Sequence, residues 1–315
     1  MDLNDFPTTL PEFQERFGDD DACLRFLHSA KWPEGFRCPR CQHDRAYAID
    51  DRRVEECAKC GHQASVTAGT MFHRTRKPLS TWFRAIFEFV SRKDGCNAMD
   101  LMRLFDLSYP TAWSWLHKIR DTFVRPNRER LAGVVEADES YIGGPEAGVF
   151  GRDLGENKIL VAGAVEVVGE GCGRARLAPV ESTSAENLQT FVATNVEEGA
   201  TVRTDGLGSY DGLDAVFKHK VTIIGDPKTA SKKFPRIHRV FSLFKRTMLG
   251  TYHGSISDKF AAMYCEEFTF RFNRRNSSSR THLFRRIIEY AVIRKPRLHL
   301  LAGRCFSGRV LPEAA

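Results

Sequence analysis

The chain has 315 residues, of which 47 are Lys or Arg and 40 are Asp or Glu, giving a formal net charge of +7. This length accommodates one sizeable core with one or two small modules, and the positive charge favours a polyanionic partner. No stretch approaches the roughly 18 apolar residues that a membrane span needs. The acidic opening, residues 1–5, lacks the apolar run of a secretory leader. We therefore expect a protein of a reducing cytoplasm with no membrane contact.

A pair of CxxC motifs defines a module predicted over residues 31–75, after a helical lead-in over residues 1–30. Fifteen residues separate the motifs, the spacing of a zinc ribbon, in which each motif directs two thiolates at one tetrahedral metal. The predicted ligands of this structural Zn²⁺ are Cys38, Cys41, Cys57 and Cys60. Two structural disulfides are the alternative, which is disfavoured because nothing else in the sequence indicates an oxidising compartment.

A helical segment with a candidate DNA-reading element is predicted over residues 76–128. Apolar residues within 82–90 recur at spacings of three and four, as on one face of an amphipathic helix. Asn97 and Ser108 are candidate N-caps of two short helices, and Pro110 suits the first turn of the second. The pair predicts a helix-turn-helix, although an ordinary helical hairpin fits the pattern almost as well. In a helix-turn-helix, the side chains offered to a DNA groove are those of Thr111, Ser114, His117, Lys118 and Arg120.

Strands dominate the sequence from Val134 onward. Three strands are followed by a helix, a fourth strand and, after a loop, a long helix. These elements are predicted at residues 134–142, 159–168, 174–180, 185–196, 201–205 and 235–249. The first three strands are expected to be antiparallel neighbours, and the order β-β-β-α-β-…-α is that of a ribonuclease H-like core. The predicted fold class is α/β, a ribonuclease H-like catalytic core with an N-terminal zinc ribbon and a helical, helix-turn-helix-like DNA-binding segment.

Two aspartates at strand positions are candidates for a catalytic metal site. Strand alternation sends Asp138 and Glu139 to opposite faces, and Asp138 is favoured because the residues that share its face are polar. Asp205 ends its strand just before Gly206, where a carboxylate can leave the sheet. Two such aspartates on neighbouring strands suit Mg²⁺, which takes one or two carboxylates together with substrate phosphates. The alternative is that each aspartate only caps a turn.

The long helix contributes a further candidate group. His238, Ser242 and Lys245 are spaced i, i+4 and i+7, so one helical face presents all three. A neutral imidazole can complete a metal site, and an ammonium can bind a phosphate or neutralise developing charge. A histidine that is simply satisfied at the surface or in the core is the competing interpretation.

Six segments together carry a family resemblance that spans residues 12 to 290. Four are short motifs at or near the candidate site or behind the ribbon: GTMF at 69–72, DESYIGG at 138–144, TDG…Y at 204–210 and H…S…KR at 238–246. Two lie further on: GTYHGSIS at 250–257, and YCEEFTFRFNRR at 264–275, which matches the signature Y-x-x-E-F-x-F-R-x-N-R-R. With the CxxC pair, they resemble the DDE-type transposases of bacterial insertion sequences that carry an N-terminal zinc ribbon, the ISXO-like group.

The resemblance implies a ribonuclease H-like DDE domain, here residues 129–290, that cuts element ends and joins the freed 3′ hydroxyl to target DNA with Mg²⁺. By motif, Asp138 and Asp205 are metal ligands, His238 occupies the third position and Lys245 is the associated lysine. A histidine is a softer ligand and suits Mn²⁺ better than Mg²⁺. Glu267 is the rival third ligand, unless it forms a salt bridge to a nearby arginine.

The same resemblance sets the expected partners. These are double-stranded DNA, as terminal inverted repeats and as target, and further copies of the chain in a homodimer or larger assembly on the bacterial nucleoid. The basic C-terminal part is expected to follow DNA phosphates through Arg271, Arg274, Arg275 and a basic tail over 291–315. Two other functions stay open: a non-catalytic DNA-binding regulator derived from a transposase, and a ribonuclease H-like nuclease.

Overall fold

The structure is a computed structural model that describes residues 6–49, 52–123, 128–143, 158–224, 230–254, 256–277 and 281–293. The predicted basic tail lies outside the described residues from position 294 onward. Among the helices that the structure describes, none is both long enough and apolar enough to cross a membrane.

The N-terminal part consists of two helices and a small sheet. Helix α1 (Leu10–Arg16) begins at Thr9, which forms a reciprocal capping box with Glu12, and α2 (Asp20–Lys31) is capped by Asp19. Three antiparallel strands follow in the order β1-β2-β3: β1 (Ala46–Ile49), β2 (Val54–Cys57) and β3 (Gln63–Ser65). The predicted helical lead-in and ribbon hairpin are both present, and β3 adds a third strand to the hairpin.

Three helices form the next segment: α3 (Leu79–Ser91), α4 (Ala98–Phe105) and α5 (Tyr109–Arg120). Asn97 caps α4 in a second capping box, and Asp106 ends the helix in the left-handed conformation with φ of 46°. Ser108 precedes α5 as expected, but its hydroxyl lies 2.9 Å from that of Thr111 and does not cap the backbone. Helices α4 and α5, with the turn at Asp106 between them, are the predicted pair of short helices.

A five-stranded mixed sheet forms the core of the rest of the chain. Its strands are β4 (Val134–Ile142), β5 (Ile159–Val168), β6 (Gly171–Pro179), β7 (Thr201–Thr204) and β8 (Lys218–Val221). They lie in the order β6-β5-β4-β7-β8, with β4, β5 and β6 antiparallel and with β7 and β8 parallel to β4. The first three strands are antiparallel neighbours as predicted, and β8 is a strand that the sequence pattern did not reveal.

Helices cover both faces of this sheet. One face packs against α6 (Ala185–Asn195) and a 3₁₀ helix (Gly208–Ala215), with Leu188 and Val192 of α6 fully buried. The other face is covered by α8 (Pro235–Tyr252) and α9 (Asp258–Asn273). The short α7 (Ala230–Lys233) precedes α8 in the chain. The order of elements from β4 to β7 and the long helix α8 agree with the sequence pattern, whereas β8, the 3₁₀ helix and α7 occupy the segment predicted as a loop.

Helix α9 also closes the free edge of the sheet. Asn273 accepts a hydrogen bond from the Ala175 N–H (2.7 Å) and donates one to the Ala175 carbonyl (3.0 Å), so it pairs with β6 as another strand would. Arg275 donates to the carbonyls of Gly173 and Cys172 further along β6. Unpaired strand edges promote aggregation, and these contacts satisfy part of this one. The end of the signature motif therefore has a structural task.

The last described helix, α10 (Thr281–Ile293), returns to the N-terminal helices. Phe284 is fully buried there, with its ring centroid 5.0 Å from that of Phe13 and 5.3 Å from that of Phe83. The Met71 N–H donates to the Ala291 carbonyl (3.0 Å). Although α10 follows the five-stranded sheet and its helices in sequence, it completes the core of the N-terminal helices.

Candidate active site and zinc centre

Two matched backbone turns build the cysteine site. The Gln42 N–H donates to the Cys38 carbonyl (2.9 Å), and the Gly61 N–H donates to the Cys57 carbonyl (3.0 Å). Gln42 and Gly61 have nearly the same left-handed φ, 62° and 64°. Each CxxC motif thus folds into the same knuckle, and the two knuckles face each other across β1 and β2.

The four sulfur atoms lie at zinc-binding distances. They are all within 4.8 Å of one another, with Cys38 and Cys60 3.7 Å apart and Cys41 and Cys57 3.6 Å apart. Thiolates at about 2.3 Å from a tetrahedral zinc are about 3.8 Å apart, whereas disulfide sulfurs are about 2.05 Å apart. Burial raises the pKa of Cys38, but the N–H groups of Cys41 and Arg40 outweigh it and lower that pKa to about 6. The cysteines form a structural zinc site, and the disulfide alternative is wrong because all four are free thiols.

Asp138 lies on the face of β4 that α8 covers. Its Oδ2 atom is 3.7 Å from Nε2 of His238, in the first turns of α8. The neighbouring Glu139 points to the other face, where it accepts a hydrogen bond from the Tyr210 hydroxyl (2.9 Å). The two carboxylates lie on opposite faces, as strand alternation predicts, and only Asp138 faces the histidine.

A buried glutamate fixes the start of α8 against β4. Glu136 is fully buried, and its Oε2 atom accepts hydrogen bonds from the N–H groups of Arg236 (3.0 Å) and Ile237 (3.1 Å). These are the unpaired donors at a helix N-terminus, where a carboxylate is also favoured by the helix dipole. The guanidinium of Arg203 lies 3.7 Å from its Oε1 atom. The sequence pattern indicated only that Glu136 shares the face of Asp138, and its anchoring role was missed.

Asp205 follows β7 directly, next to the strand that carries Asp138. Strands β4 and β7 are parallel, with Glu136 opposite Arg203, so the register continued by two residues brings Asp138 beside Asp205. The Oδ1 atom of Asp205 accepts a hydrogen bond from the Leu207 N–H (3.0 Å) and so shapes the turn. The register therefore brings the two predicted carboxylates together on neighbouring interior strands, at the level where β7 ends.

Tyr210 ties the turn after Asp205 to the central strand. Its side chain is only 2 % exposed, and its hydroxyl donates to Glu139 on β4. Burial raises the pKa of Tyr210, and the carboxylate of Glu139 raises it further, so the hydroxyl stays a donor at neutral pH. On β4, Glu136 thus holds the start of α8, and Glu139 holds the turn after Asp205 through Tyr210.

Glycine is required opposite Asp138. Gly163 of β5 pairs with Asp138, and a Cβ atom there would lie 2.7 Å from the Phe241 ring and 3.0 Å from Ile237. Both of these residues belong to α8. The absence of a side chain at Gly163 lets the helix approach the sheet closely enough for His238 to face Asp138.

Electrostatics keep His238 neutral. Burial lowers the pKa of His238, the Glu136 carboxylate opposes this effect, and the Lys245 ammonium adds to it. Burial also lowers the pKa of Lys245, and the nearby Asp138 carboxylate opposes that shift. The imidazole is therefore uncharged near neutral pH and keeps a lone pair for a cation.

His238 and Asp138 fit a divalent cation on a second ground. The Nε2 atom of His238 is buried and has no hydrogen-bond partner among the residues that the structure describes, although buried polar atoms normally have one. It faces a carboxylate oxygen, and a site that combines an imidazole nitrogen with carboxylate oxygens suits Mn²⁺ better than Mg²⁺. Among the described residues, only the four cysteines form a group of three or more possible ligands within 4.8 Å of one another. Asp138, Asp205 and His238 are thus neighbours whose ligand atoms are more widely spaced than those of the cysteine site.

Two family models match the chain. The ISXO2-like transposase domain matches residues 130–273, and the transposase zinc-ribbon domain matches residues 18–63. The chain therefore carries a domain of the ISXO2-like transposases behind a transposase zinc ribbon. Members carry a DDE domain of the polynucleotidyl-transferase type, which implies a ribonuclease H-like core. The order β6-β5-β4-β7-β8, with β7 and β8 parallel to β4, is consistent with such a core.

One solved structure illustrates how far the overall likeness extends. A chain in the cryo-EM structure of the simian T-cell lymphotropic virus intasome in complex with PP2A regulatory subunit B56 gamma is 14 % identical. The match covers 70 % of this chain and 75 % of that chain, with a TM-score of 0.32, which is too low to bear on function. No curated protein shows a significant match.

Glu267, the rival metal ligand, forms hydrogen bonds with other side chains. It is 2 % exposed, and its carboxylate accepts hydrogen bonds from Arg120 (2.7 Å), Arg271 (3.1 Å) and the Tyr252 hydroxyl (2.8 Å). Burial raises the pKa of Glu267, but Arg120 and Arg271 outweigh it, and the net shift is downward. The alternative of a salt bridge to nearby arginines is the one that the structure bears out, and it ties α5 to α9.

The DNA contacts predicted on α5 divide into two groups. Thr111, Ser114 and Lys118 line a groove of about 390 Å³, together with the basic turn 74–77. His117 and Arg120 are only 1 % and 2 % exposed, which corrects the expectation that they face a DNA groove. Both pack inward against α9, because the 3.6-residue period places them on the inner face of α5. The described residues that line the groove include no carboxylate.

The three arginines of the signature motif also differ in position. Arg271 is 8 % exposed and donates to the Phe89 and Arg92 carbonyls as well as to Glu267, so the expectation that it contacts DNA is corrected. Arg275 is exposed but bonded to β6. Arg274 lines a separate cavity at the end of α9, with its guanidinium carbon 4.1 Å from the centroid of the Phe270 ring.

Proposed function

We propose that the chain cuts DNA at the ends of its insertion sequence and joins the freed 3′ hydroxyl to target DNA. One observation carries the proposal: Asp138 lies on β4, Asp205 directly follows the adjacent parallel strand β7, and His238 faces Asp138 at 3.7 Å. This arrangement brings carboxylate and imidazole groups together where β7 ends beside β4, close to Lys245. Family membership supplies the reaction class.

The proposed ligands of catalytic Mg²⁺ or Mn²⁺ are Asp138, Asp205 and His238. Paired cations bound there would activate the attacking oxygen and stabilise the leaving oxygen. The protein contributes position: Glu136 holds the start of α8, so that the neutral imidazole faces the carboxylate. Because imidazole is a softer ligand than carboxylate, we expect Mn²⁺ to support the reaction better than Mg²⁺ does.

Lys245 has a distinct role in the proposal. It lies seven residues after His238 on α8, with part of its side chain in solvent and close enough to Asp138 for the carboxylate to influence its pKa. An ammonium at this position can bind a phosphate of the reacting strand and neutralise charge as it develops. Lys245 therefore positions DNA rather than a cation.

DNA is proposed to bind along the groove between α5 and the turn 74–77. Arg74, Arg76 and Lys77 of that turn face Lys118 across it, and Thr111 and Ser114 add hydroxyl donors. Such side chains suit phosphate contacts, which set register and orientation on duplex DNA. A transposase that brings two element ends together would act as a homodimer or a larger assembly.

A strand-transfer assay tests the proposed function. It uses purified protein, a labelled duplex with the element's own end, and Mg²⁺ or Mn²⁺, and it compares wild type with Asp205→Ala and His238→Ala. Asp211→Ala is the matched control. Asp211 is exposed in the neighbouring 3₁₀ helix, and its substitution removes the same charge as Asp205→Ala does. We expect joined product from wild type and Asp211→Ala and none from the other two.

Other outcomes identify the competing functions. End binding with no wild-type product under either cation would indicate the non-catalytic regulator, and nicking without joining would indicate the nuclease. Product retained in His238→Ala alone would remove the histidine from the proposed ligand set.

A further inference from the structure

A second arginine-rich cavity lies away from the carboxylate site. It has a volume of about 320 Å³ and lies between the C-terminal half of α9, the strand β6 and the segment that precedes β4. Four arginines and two glutamates carry its charge, so the lining has a surplus of positive charge. These residues are Arg128, Arg174, Arg176, Arg274, Glu129 and Glu266.

Arg176 at the base of the cavity is a buried cation with only carbonyl partners. It is 6 % exposed, and its guanidinium donates to the carbonyls of Ala175 (3.0 Å) and Glu129 (2.7 Å). Among the described residues, no carboxylate lies within salt-bridge distance of it. Burial lowers the pKa of Arg176 to about 10, the charges of Arg128 and Arg174 add to the effect, and the more distant Glu166 carboxylate only partly opposes it. A buried charge is costly unless it is paired, and an anion would relieve that cost.

The other arginines of the cavity are not equivalent. Arg174 is held between Glu166 (2.7 Å) and Glu129 (2.7 Å), so its charge is already balanced. Arg128 lies 4.0 Å from Glu266, at the limit of an ion pair. Arg274 stacks on Phe270, which orients its guanidinium. The surplus charge thus centres on Arg176, and Arg128 and Arg274 line the same cavity.

The cavity is separate from the proposed cleavage site. Asp138 pairs with Gly163, and Gly163 with Leu177, so these three side-chain positions share one face of the sheet. Arg176 is the residue before Leu177 and therefore points to the opposite face. It also lies two strands from Asp138, a distance of about 10 Å across the sheet. A ligand in the cavity could not belong to the Asp138 site.

We propose that this cavity binds a phosphate group, with Arg176 at its base and Arg128 and Arg274 at its rim. Guanidinium groups match phosphate geometry with paired hydrogen bonds, and three of them converge here. One source of the phosphate is the backbone of bound duplex DNA, which rests on the proposed function. The other source is free inorganic phosphate, and the two are separated by experiment.

The DNA arm measures how binding of a fluorescein-labelled duplex of mixed sequence depends on salt. The double variant Arg128→Ala/Arg274→Ala should lower the slope of log K against log[salt] by about 0.9, the loss of one phosphate contact. Arg130→Ala is the matched control, since this exposed arginine pairs with Glu198 and does not line the cavity. It should keep the wild-type slope.

The phosphate arm needs no DNA. Inorganic phosphate should raise the melting temperature of the wild-type protein above that in chloride of equal ionic strength, because a ligand of the folded state stabilises it. The shift should be absent in Arg176→Met and in the double variant. The double variant keeps this arm decisive if the buried substitution in Arg176→Met prevents folding.

The outcomes are distinct. A changed DNA slope supports the pocket as a DNA phosphate site, and a lost phosphate shift with an unchanged slope supports a free phosphate site. Wild-type values in both arms for the double variant would overturn the proposal. Wild-type protein that does not bind DNA at all would count against the proposed function, while the phosphate arm would still decide the pocket.

Discussion

The zinc ribbon takes its four ligands from two turns within residues 38–60, whereas the carboxylate site depends on a strand, a turn and a helix between residues 138 and 245. The ribbon ligands lie within 4.8 Å of one another, and the ligand atoms of the carboxylate site are spaced more widely. A local site needs its metal to fold, because little else holds so small a module. The distant site depends on scaffold residues that never touch the reacting atoms. Four sets of substitutions test this difference.

Loss of a zinc ligand should have the largest effect. Cys57→Ser should unfold the ribbon while the five-stranded sheet keeps its own unfolding transition, since structural zinc contributes on the order of 10 kcal/mol to such modules. Unfolding of the ribbon is measured as loss of bound zinc and as increased cleavage of the ribbon in limited proteolysis. Cys172→Ser, at a half-buried thiol on β6, is the control and should change neither. A ribbon that stayed zinc-loaded and protease-resistant in Cys57→Ser would contradict the local character of this site.

The second largest effect is expected from the loss of Glu136, which anchors the start of α8. Glu136→Ala should lower the free energy of unfolding by about 3–5 kcal/mol, because it leaves buried donors and two arginines without their carboxylate. Glu136→Gln keeps an acceptor oxygen and should cost less. Asp138→Asn should leave stability nearly unchanged while it abolishes strand transfer. Equal urea midpoints for Glu136→Ala and Asp138→Asn would show that Glu136 is not a scaffold residue.

Two glycines, one buried on β5 and one exposed on α8, offer an internally controlled pair. Gly163→Ala should destabilise the fold by about 1–3 kcal/mol, because the added methyl overlaps Phe241 of α8. At Gly250, within α8, an added Cβ would meet nothing within 4 Å. Gly250→Ala should therefore stabilise the helix by about 0.5–1 kcal/mol. Thermal melts of the two variants that shifted in the same direction would argue against close approach at Gly163.

The smallest effect is expected at the Asp205 turn. Tyr210→Phe removes the hydrogen bond to Glu139 and should cost about 1 kcal/mol of stability. It should also slow strand transfer, since Asp205 would be less firmly placed. Tyr47→Phe, at a side chain 69 % exposed on the ribbon, should change neither quantity. Full strand-transfer activity in Tyr210→Phe would separate the turn from the site.

The sequence predicted best what depends on local pattern. The strands β4 and β5 have the predicted bounds, because their alternating or continuous apolar residues fill a core on both faces. The cysteine spacing predicted a site that forms within one module. Strand alternation predicts that Asp138 and Glu139 face opposite ways, and the polar residues on the face of Asp138 favour it; the partners of the two carboxylates do lie on opposite faces.

What the sequence did not reveal depends on long-range contacts. The edge strand β8 (Lys218–Val221) is mostly polar, so no apolar pattern marks it. Glu267 and Arg271 are charged residues that only their burial against α5 makes structural. Likewise, Glu136 becomes an anchor only once α8 begins beside it, about a hundred residues later. Charge alone did not distinguish surface, ligand and scaffold roles.

The return of α10 to the N-terminal helices has a consequence for synthesis on the ribosome. Phe284 completes a core whose other aromatic residues, such as Phe13 and Phe83, leave the ribosome long before it. At about 5–20 residues per second, the wait between Phe13 and Phe284 is roughly 15–55 s. The ribbon can bind zinc during that time, but the helices that bear the basic groove become fully packed only when the catalytic core has already been made. A prematurely terminated chain would therefore lack fully packed helices beside the basic groove, the surface proposed to bind DNA.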